Sequence, residues 1–175
     1  MNQTVIDRTL TGFFGETRPT RWVTRERPKI DRIACPWLIR RFVDPQAEFL
    51  YVPTADVFAV AEREKAVAYD IPGAPFSHVG ELCSFDAFLR VFDLEDAPGL
   101  SILAPIIRGA DTDRHDVAPE AAGLHALALG MTSLFDDDQA LLAQGLIAYD
   151  ALHAWATKAR GERHSWNPQP EGKRP

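Results

Sequence analysis

The chain has 175 residues, of which 46% are hydrophobic and 25% charged, and its net charge at neutral pH is −6. These values are typical of one globular domain with a single core, and no run reaches the roughly 18 apolar residues that a membrane span requires. The amino terminus has no continuous apolar segment of the signal-peptide kind, and the two cysteines are too few for a disulfide framework. We therefore predict a cytoplasmic protein without membrane association, in which both cysteines are free thiols.

The first half of the chain predicts alternating strands and helices. Strands are predicted at residues 21–25, 47–52 and 66–71, and helices at 31–43 and 54–64. This order favours a small, mostly parallel sheet with right-handed crossovers. Asp31 is expected to cap the first of these helices. Since sites gather at the carboxyl ends of parallel strands, we expect Arg25, Thr54 and Asp70 at the edge of the sheet that carries the site.

The second half is predicted to be helical. Helices are predicted at 85–92, 98–108, 119–134 and 137–160, with Ser84 and Asp136 as candidate caps for the first and the last. The predicted fold class is α+β, or a small α/β fold, with a short parallel sheet and a helical carboxyl-terminal half. Residues 1–20 lack periodicity and are expected to form an arm, residues 21–160 the domain, and the proline-rich residues 161–175 a disordered tail.

The densest group of reactive side chains lies between a predicted strand end and a predicted helix start. It contains Asp70, His78, Glu81, Cys83 and Asp86. Nitrogen, oxygen and sulfur ligands from His78, Glu81 and Cys83 suit zinc or another borderline transition metal. The spacing matches no established metal motif, so a hydrogen-bonded loop histidine beside a core cysteine is the competing interpretation.

A second group lies on the predicted helix 31–43. Asp31 and Cys35 are four residues apart and share a helix face. A cysteine near a helix start and beside Arg32 would have a lowered pKa, which would make it a better ligand or nucleophile. In the alternative interpretation, Cys35 is a core residue, and Arg40 and Arg41 cap the carboxyl end of the helix.

Charge is distributed unevenly along the chain. Residues 18–41 carry eight of the basic side chains and only two acidic ones. A short basic stretch in an acidic protein suits a local anion site better than a nucleic-acid surface, and no helix-turn-helix is evident. A basic edge whose arginines pair with distant acids is the alternative. No Walker loop or GxGxxG occurs, so no nucleotide cofactor is expected.

The run RGADTDRHD at residues 108–116 superficially resembles an acidic metal-binding loop. It lacks the length and the terminal glutamate of an EF-hand loop, so a solvated turn between helices is favoured. His125 and His153 lie within predicted helices, where a surface or core histidine is the more common case.

Four stretches resemble the chromate-resistance ChrB C-terminal domain family. They are WVTRERPKIDRIACPWLIRRFVDPQAEFLYVP at 22–53, HVGELCSFD at 78–86, IIRGADTD at 106–113 with APEAAGL at 118–124, and DDDQALLAQGLIAYDALHAW at 136–155. The resemblance covers about residues 21–160. It implies that Asp31, Arg32 and Cys35, and likewise His78, Glu81 and Cys83, belong to motifs characteristic of the family.

Our hypothesis is that these two motifs converge at the carboxyl edge of the sheet. A divalent zinc, manganese or iron ion would be held by ligands drawn from Cys35, His78, Glu81, Asp31, Asp70 and Cys83. Arg32, Arg40 and Arg41 would bind a chromate-like oxyanion or another small substrate, and Cys35 would be the catalytic group. The domain would then be a metal-dependent enzyme of redox or sulfur chemistry, or a non-enzymatic oxyanion or metal sensor.

Overall fold

The computed structural model of the protein describes residues 3–14 and 19–163. Among these residues the chain forms a three-stranded parallel sheet and seven α-helices, which confirms the predicted α+β class and the helical carboxyl-terminal half. The strands are Arg21–Arg25 (β1), Glu48–Val52 (β2) and Val67–Ala68 (β3). The helices are Gln3–Phe14 (α1), Asp31–Leu38 (α2), Val57–Glu64 (α3), Ser84–Val91 (α4), Leu100–Asp111 (α5), Ala121–Leu134 (α6) and Asp138–Ala154 (α7). Wider π-helical turns extend α2 over Ile39–Val43 and α7 over Trp155–Ala159, and a 3-10 turn at Thr54–Asp56 precedes α3.

The sheet has the order β2-β1-β3, and both strand pairs are parallel. β1 is therefore central, and α2 and α3 are the crossovers that lead to β2 and β3. β3 is shorter than the predicted strand 66–71. Asp70 has a φ of 51°, which lies outside the strand region, so the chain turns away from the sheet at this residue.

Both faces of the sheet are covered. Trp22 of β1 packs in the main core, where Phe76 and Phe88 stack with ring centroids 4.1 Å apart. The next residue, Val23, faces the opposite side and joins a smaller cluster with Val57 of α3. Successive side chains of a strand point to opposite faces, so one hydrophobic strand contributes side chains to both clusters.

The amino-terminal segment differs from the arm without periodicity that the sequence predicts. Within residues 1–20, α1 is a regular helix, and Ile6 and Leu10 are both fully buried in the main core. Their spacing of four residues places them on one helix face, and that pair is the signal that the prediction overlooked. Residues 15–18 lie outside the described residues, as do residues 164–175 of the predicted tail.

Three predicted helix caps are each displaced by one residue. Ile30 precedes α2 without a side-chain cap, Cys83 takes the cap position of α4, and Asp137 caps α7 by accepting the N–H of Ala140 at 2.6 Å. Asp31 lies inside α2, which frees its carboxylate for contacts with another helix.

No helix in the described part of the chain combines the length and apolar character needed to cross a membrane.

Candidate metal and oxyanion site

Polar side chains from five segments meet where β1 and β3 end. Arg25 ends β1, Asp31 and Arg32 open α2, Asp70 follows β3, His78 lies in the loop before α4, and Asp111 ends α5. Of the three residues predicted at the carboxyl edge, Arg25 and Asp70 are confirmed as neighbours, since Arg25 Nη2 lies 3.0 Å from Asp70 Oδ2. Thr54 lies in the 3-10 turn that follows β2. Parallel topology explains this meeting, because strand ends that lie far apart in sequence are neighbours at one edge.

His78 lies at the centre of three carboxylates. Its Nε2 is 3.1 Å from Asp111 Oδ2, 3.5 Å from Asp70 Oδ1 and 3.6 Å from Asp31 Oδ2. One ligand atom each from Asp31, His78 and Asp111 lies within 4.8 Å of the others. Ligand atoms bound roughly 2.1 Å from a common ion are themselves about 3 to 4 Å apart. Small side-chain movements would therefore bring these atoms onto one cation.

The start of α4 fixes the carboxylate of Asp31. Asp31 Oδ2 accepts the backbone N–H groups of Ser84 at 2.5 Å and of Phe85 at 3.2 Å, while the Ser84 hydroxyl donates to Asp70 Oδ1 at 2.8 Å. Asp31 is 1% exposed, and its Oδ1 has no hydrogen-bond partner among the described residues. A buried acceptor without a partner is costly.

His78, Asp31 and Asp70 have shifted pKa values. Hydrogen bonds to Asp111 and Asp70 raise the pKa of His78 to about 10. Burial, followed by the charges of Asp111 and Asp70, raises the pKa of Asp31. Burial also acts to raise the pKa of Asp70, but hydrogen bonds from His78 and Ser84 and the charge of Arg25 outweigh it and lower the pKa. An imidazolium therefore balances the carboxylates at neutral pH, and a metal ion could take over that role.

Basic residues border the same cluster. The cluster opens into a cavity of about 360 Å³, whose lining includes Arg25, Lys29 and Arg32. Arg32 is held in place by the carbonyls of Glu26 at 2.7 Å and Arg25 at 3.2 Å, and its Nε lies 3.5 Å from Asp70 Oδ2. One cavity thus combines a set of possible metal ligands with side chains that suit an oxyanion.

The two cysteines lie in the core. Cys35 is fully buried, and burial followed by the charges of Asp31 and Asp70 raises its pKa. Cys83 is also fully buried, donates from Sγ to Asp86 Oδ2 at 3.4 Å, and has a pKa raised chiefly by burial. Among the residues that the structure covers, neither sulfur belongs to a group of three possible metal ligands. Both thiols are protonated at neutral pH, which does not suit a ligand or a nucleophile.

Three further residues from the predicted site make contacts elsewhere. The side chain of Glu81 is 89% exposed and lies 3.6 Å from Arg114. Arg40 donates to the carbonyl of Ala47 at 3.1 Å, and its guanidinium lies 5.2 Å from the ring centroid of Phe49. Arg41 makes a bidentate pair with Asp150 at 2.8 and 2.7 Å. Of the predicted anion-binding arginines, the cavity lining therefore includes Arg32 but neither Arg40 nor Arg41.

Two members of the site were not singled out from the sequence. Asp111 lies in the run RGADTDRHD, for which the sequence favours a solvated turn, and Lys29 lies in the basic stretch. The signal for Asp111 was the density of acids in that run. Only the packing of α5 against α4 and α2 brings it to His78.

Comparison with known proteins identifies the family of this chain. The family model described as "ChrB, C-terminal domain" matches residues 22–156. The chain is also 37% identical, over 139 residues, to Protein ChrB of Cupriavidus metallidurans (strain ATCC 43123 / DSM 2839 / NBRC 102507 / CH34). This chain belongs to the ChrB C-terminal domain family. The resemblance identified in the sequence is thereby confirmed.

The matched segment is 79% of this chain and 41% of the Cupriavidus ChrB protein, so the chain spans about two fifths of that relative's length. No solved structure matches the chain. Asp31, Asp70, His78 and Asp111 all fall within the matched ChrB domain.

Proposed function

We propose that this ChrB domain binds a divalent transition metal through Asp31, His78 and Asp111, and that it holds a small tetrahedral oxyanion such as chromate beside the metal as its part in chromate resistance. The observation that carries the proposal is the position of His78 Nε2, 3.1 to 3.6 Å from carboxylates of three separate segments. A merely structural histidine needs one partner. Three partners, one of them fully buried, match the geometry of a cation site.

The donor set indicates the class of metal. The cluster offers carboxylate oxygens and one imidazole nitrogen, without a thiolate. Such donors suit manganese, iron(II) or zinc better than a soft ion such as copper(I). Among the three metals expected from the sequence, manganese and iron(II) therefore become the first choices.

The charge of the cavity makes oxyanion binding depend on the metal. Arg25 and Arg32 of the cavity wall lie 3.0 and 3.5 Å from Asp70 Oδ2, so both already share their charge with that carboxylate. A divalent ion would add positive charge beside them and offer its open coordination positions to the oxyanion. Arginine suits an anion of this shape because its guanidinium can donate two parallel hydrogen bonds.

A metal-dependent redox enzyme is the second candidate. The observation that favours it is that Asp31, His78 and Asp111 supply only three ligands beside an open cavity, and catalytic sites commonly leave such positions free. A non-enzymatic sensor would bind metal and oxyanion without turnover. Loss of chromate absorbance with an added reductant, compared between wild type and His78→Ala, separates the two.

The test is calorimetric titration of the tag-free, chelator-stripped protein with Mn²⁺. We expect His78→Ala and Asp111→Asn to lose this binding, while Glu81→Gln, which removes an exposed acid from the same loop as His78, keeps it. A second titration uses molybdate, a non-oxidising tetrahedral analogue, with and without Mn²⁺, in wild type and Arg25→Ala. Unchanged Mn²⁺ binding in His78→Ala, or equal molybdate binding without Mn²⁺, would contradict the proposal.

A further inference from the structure

A second group of nitrogen and oxygen ligands lies after α5, outside the Asp31–His78–Asp111 cluster. The rings of His115 and His125 have centroids 4.9 Å apart, and His115 Nε2 lies 3.5 Å from Asp113 Oδ1. One ligand atom from each of Asp113, His115 and His125 lies within 4.8 Å of the others. We propose that these three side chains hold a second divalent transition metal.

The ring of His125 is oriented as metal-ligating histidines usually are. Its Nδ1 lies 3.1 Å from the backbone carbonyl of Ala110 in α5. A carbonyl can only accept, so Nδ1 carries the proton, which leaves Nε2 as the nitrogen available to a metal. Metal-bound histidines almost always donate their other ring N–H to such an acceptor. The contact between α5 and α6 therefore fixes both the tautomer and the direction of this ring.

His115 contributes an independent observation. Its Nε2 is inaccessible to solvent and has no hydrogen-bond partner among the residues that the structure describes. Buried polar atoms are nearly always satisfied, so such an atom needs an explanation. The carboxylate of Asp113 lies 3.5 Å from this atom, and a cation between the two would satisfy both.

The two groups differ in the metals that they favour. Two imidazoles and one carboxylate suit zinc, nickel, cobalt or copper(II), whereas the oxygen-rich group around His78 suits manganese or iron(II). Asp113 and His125 line the same cavity as His78, so a second ion would add positive charge at the rim of that cavity. The second site does not depend on the proposed function, since it uses none of the residues of the first.

Titration of the tag-free, chelator-stripped protein with Zn²⁺ tests this inference, with Co²⁺ as a spectroscopic probe. We expect two bound equivalents in wild type, one in the double variant His115→Ala/His125→Ala, and one in His78→Ala. His153→Gln, a helical histidine that contacts the carbonyl of Pro98 at 2.9 Å, is the matched control and should keep two. The Co²⁺ absorption of the His115–His125 site should be present in His78→Ala and absent in the double variant.

A third variant covers the case in which the double variant fails to fold. The side chain of Asp113 is 86% exposed, so Asp113→Asn leaves the fold intact and should weaken Zn²⁺ binding at the second site by about tenfold or more. Wild-type stoichiometry in the double variant, or unchanged affinity in Asp113→Asn, would overturn the second site. Loss of one equivalent in the double variant and none in His78→Ala would instead uphold the second site and show that the first site does not take zinc.

Discussion

Removal of the Asp86 side chain should destabilise the whole domain, because Asp86 ties the start of α4 to α5. Asp86 is 5% exposed. It accepts the backbone N–H of Cys83 at 3.0 Å and pairs with Arg108 through two hydrogen bonds of 2.9 and 2.8 Å. Ser84 and Phe85 lie between Cys83 and Asp86. Their hydrogen bonds hold Asp31 and Asp70 at the start of α4.

The expected cost of Asp86→Ala follows from these contacts. Loss of a helix cap costs about 1 kcal/mol. Breaking a buried ion pair costs about 3 to 5 kcal/mol, and the lower part of that range applies because the Arg108 side chain is 27% exposed and can reach water. Because the cap and the ion pair share one carboxylate, we expect a total of about 3 kcal/mol. For a domain of this size that is a fall in Tm of roughly 6 to 12 °C.

Urea unfolding, followed by the fluorescence of the buried Trp22 and Trp37, measures this cost. Asp116→Ala is the matched control. Asp116 makes the same kind of two-bond pair with Arg114, at 3.2 and 3.4 Å, but its side chain is 71% exposed. We expect no measurable change in the control, because exposed pairs are screened by solvent. A loss below about 1 kcal/mol in Asp86→Ala would refute the view that this carboxylate anchors α4.

Three further predictions follow from the site and its scaffold. Burial and the charges of Asp111 and Asp70 raise the pKa of Asp31, so its ionised carboxylate destabilises the metal-free fold. Asp31→Asn should therefore raise the free energy of unfolding in EDTA at pH 7, and it should abolish Mn²⁺ binding because it removes a ligand. A fall in that free energy would contradict the reasoning. The pKa of His78 is raised from 6.5 to about 10, so its imidazolium stabilises the metal-free protein fully below pH 6.5 and less as the pH rises toward 10. Mn²⁺ must displace that proton, so calorimetry under anaerobic conditions should show affinity rising between pH 6.5 and 8.5 with about one proton released per ion, and a flat profile would refute this. Gly145→Ala should cost about 1 to 3 kcal/mol in urea unfolding, because the new Cβ of α7 would overlap Cγ2 of Ile33 in α2; unchanged stability would mean that the two helices separate easily.

The order of the elements could be predicted from the sequence because local signals define it. The helical stretch that begins with α2 ends at Asp44, as predicted from Asp44-Pro45, and β1 has its predicted bounds. The alternation of strands and helices then implies the parallel sheet, and the sheet brings Arg25 to Asp70. Helix caps were each misplaced by one residue, since Ile30 precedes α2 without a side-chain cap, and the residue next to the predicted one takes the cap position in α4 and α7.

The membership of the site was harder to predict because it depends on packing. Sequence proximity grouped Glu81 and Cys83 with His78, but the loop turns Glu81 toward solvent and buries Cys83 under α4. Helical periodicity placed Cys35 near Asp31, whereas the two side chains serve the core and the cluster respectively. Asp111 comes from a helix more than thirty residues beyond His78, and no local pattern connects the two.

The most direct test of the central claim is metal analysis of the tag-free protein after incubation with Mn²⁺, Fe²⁺ or Zn²⁺ and removal of excess ion, in wild type and His78→Ala. The arrangement of Asp31, His78 and Asp111 predicts that wild type retains one more equivalent of metal than His78→Ala, for at least one of these ions, with both proteins equally folded by circular dichroism. Equal metal content in the two proteins for all three ions would contradict the site.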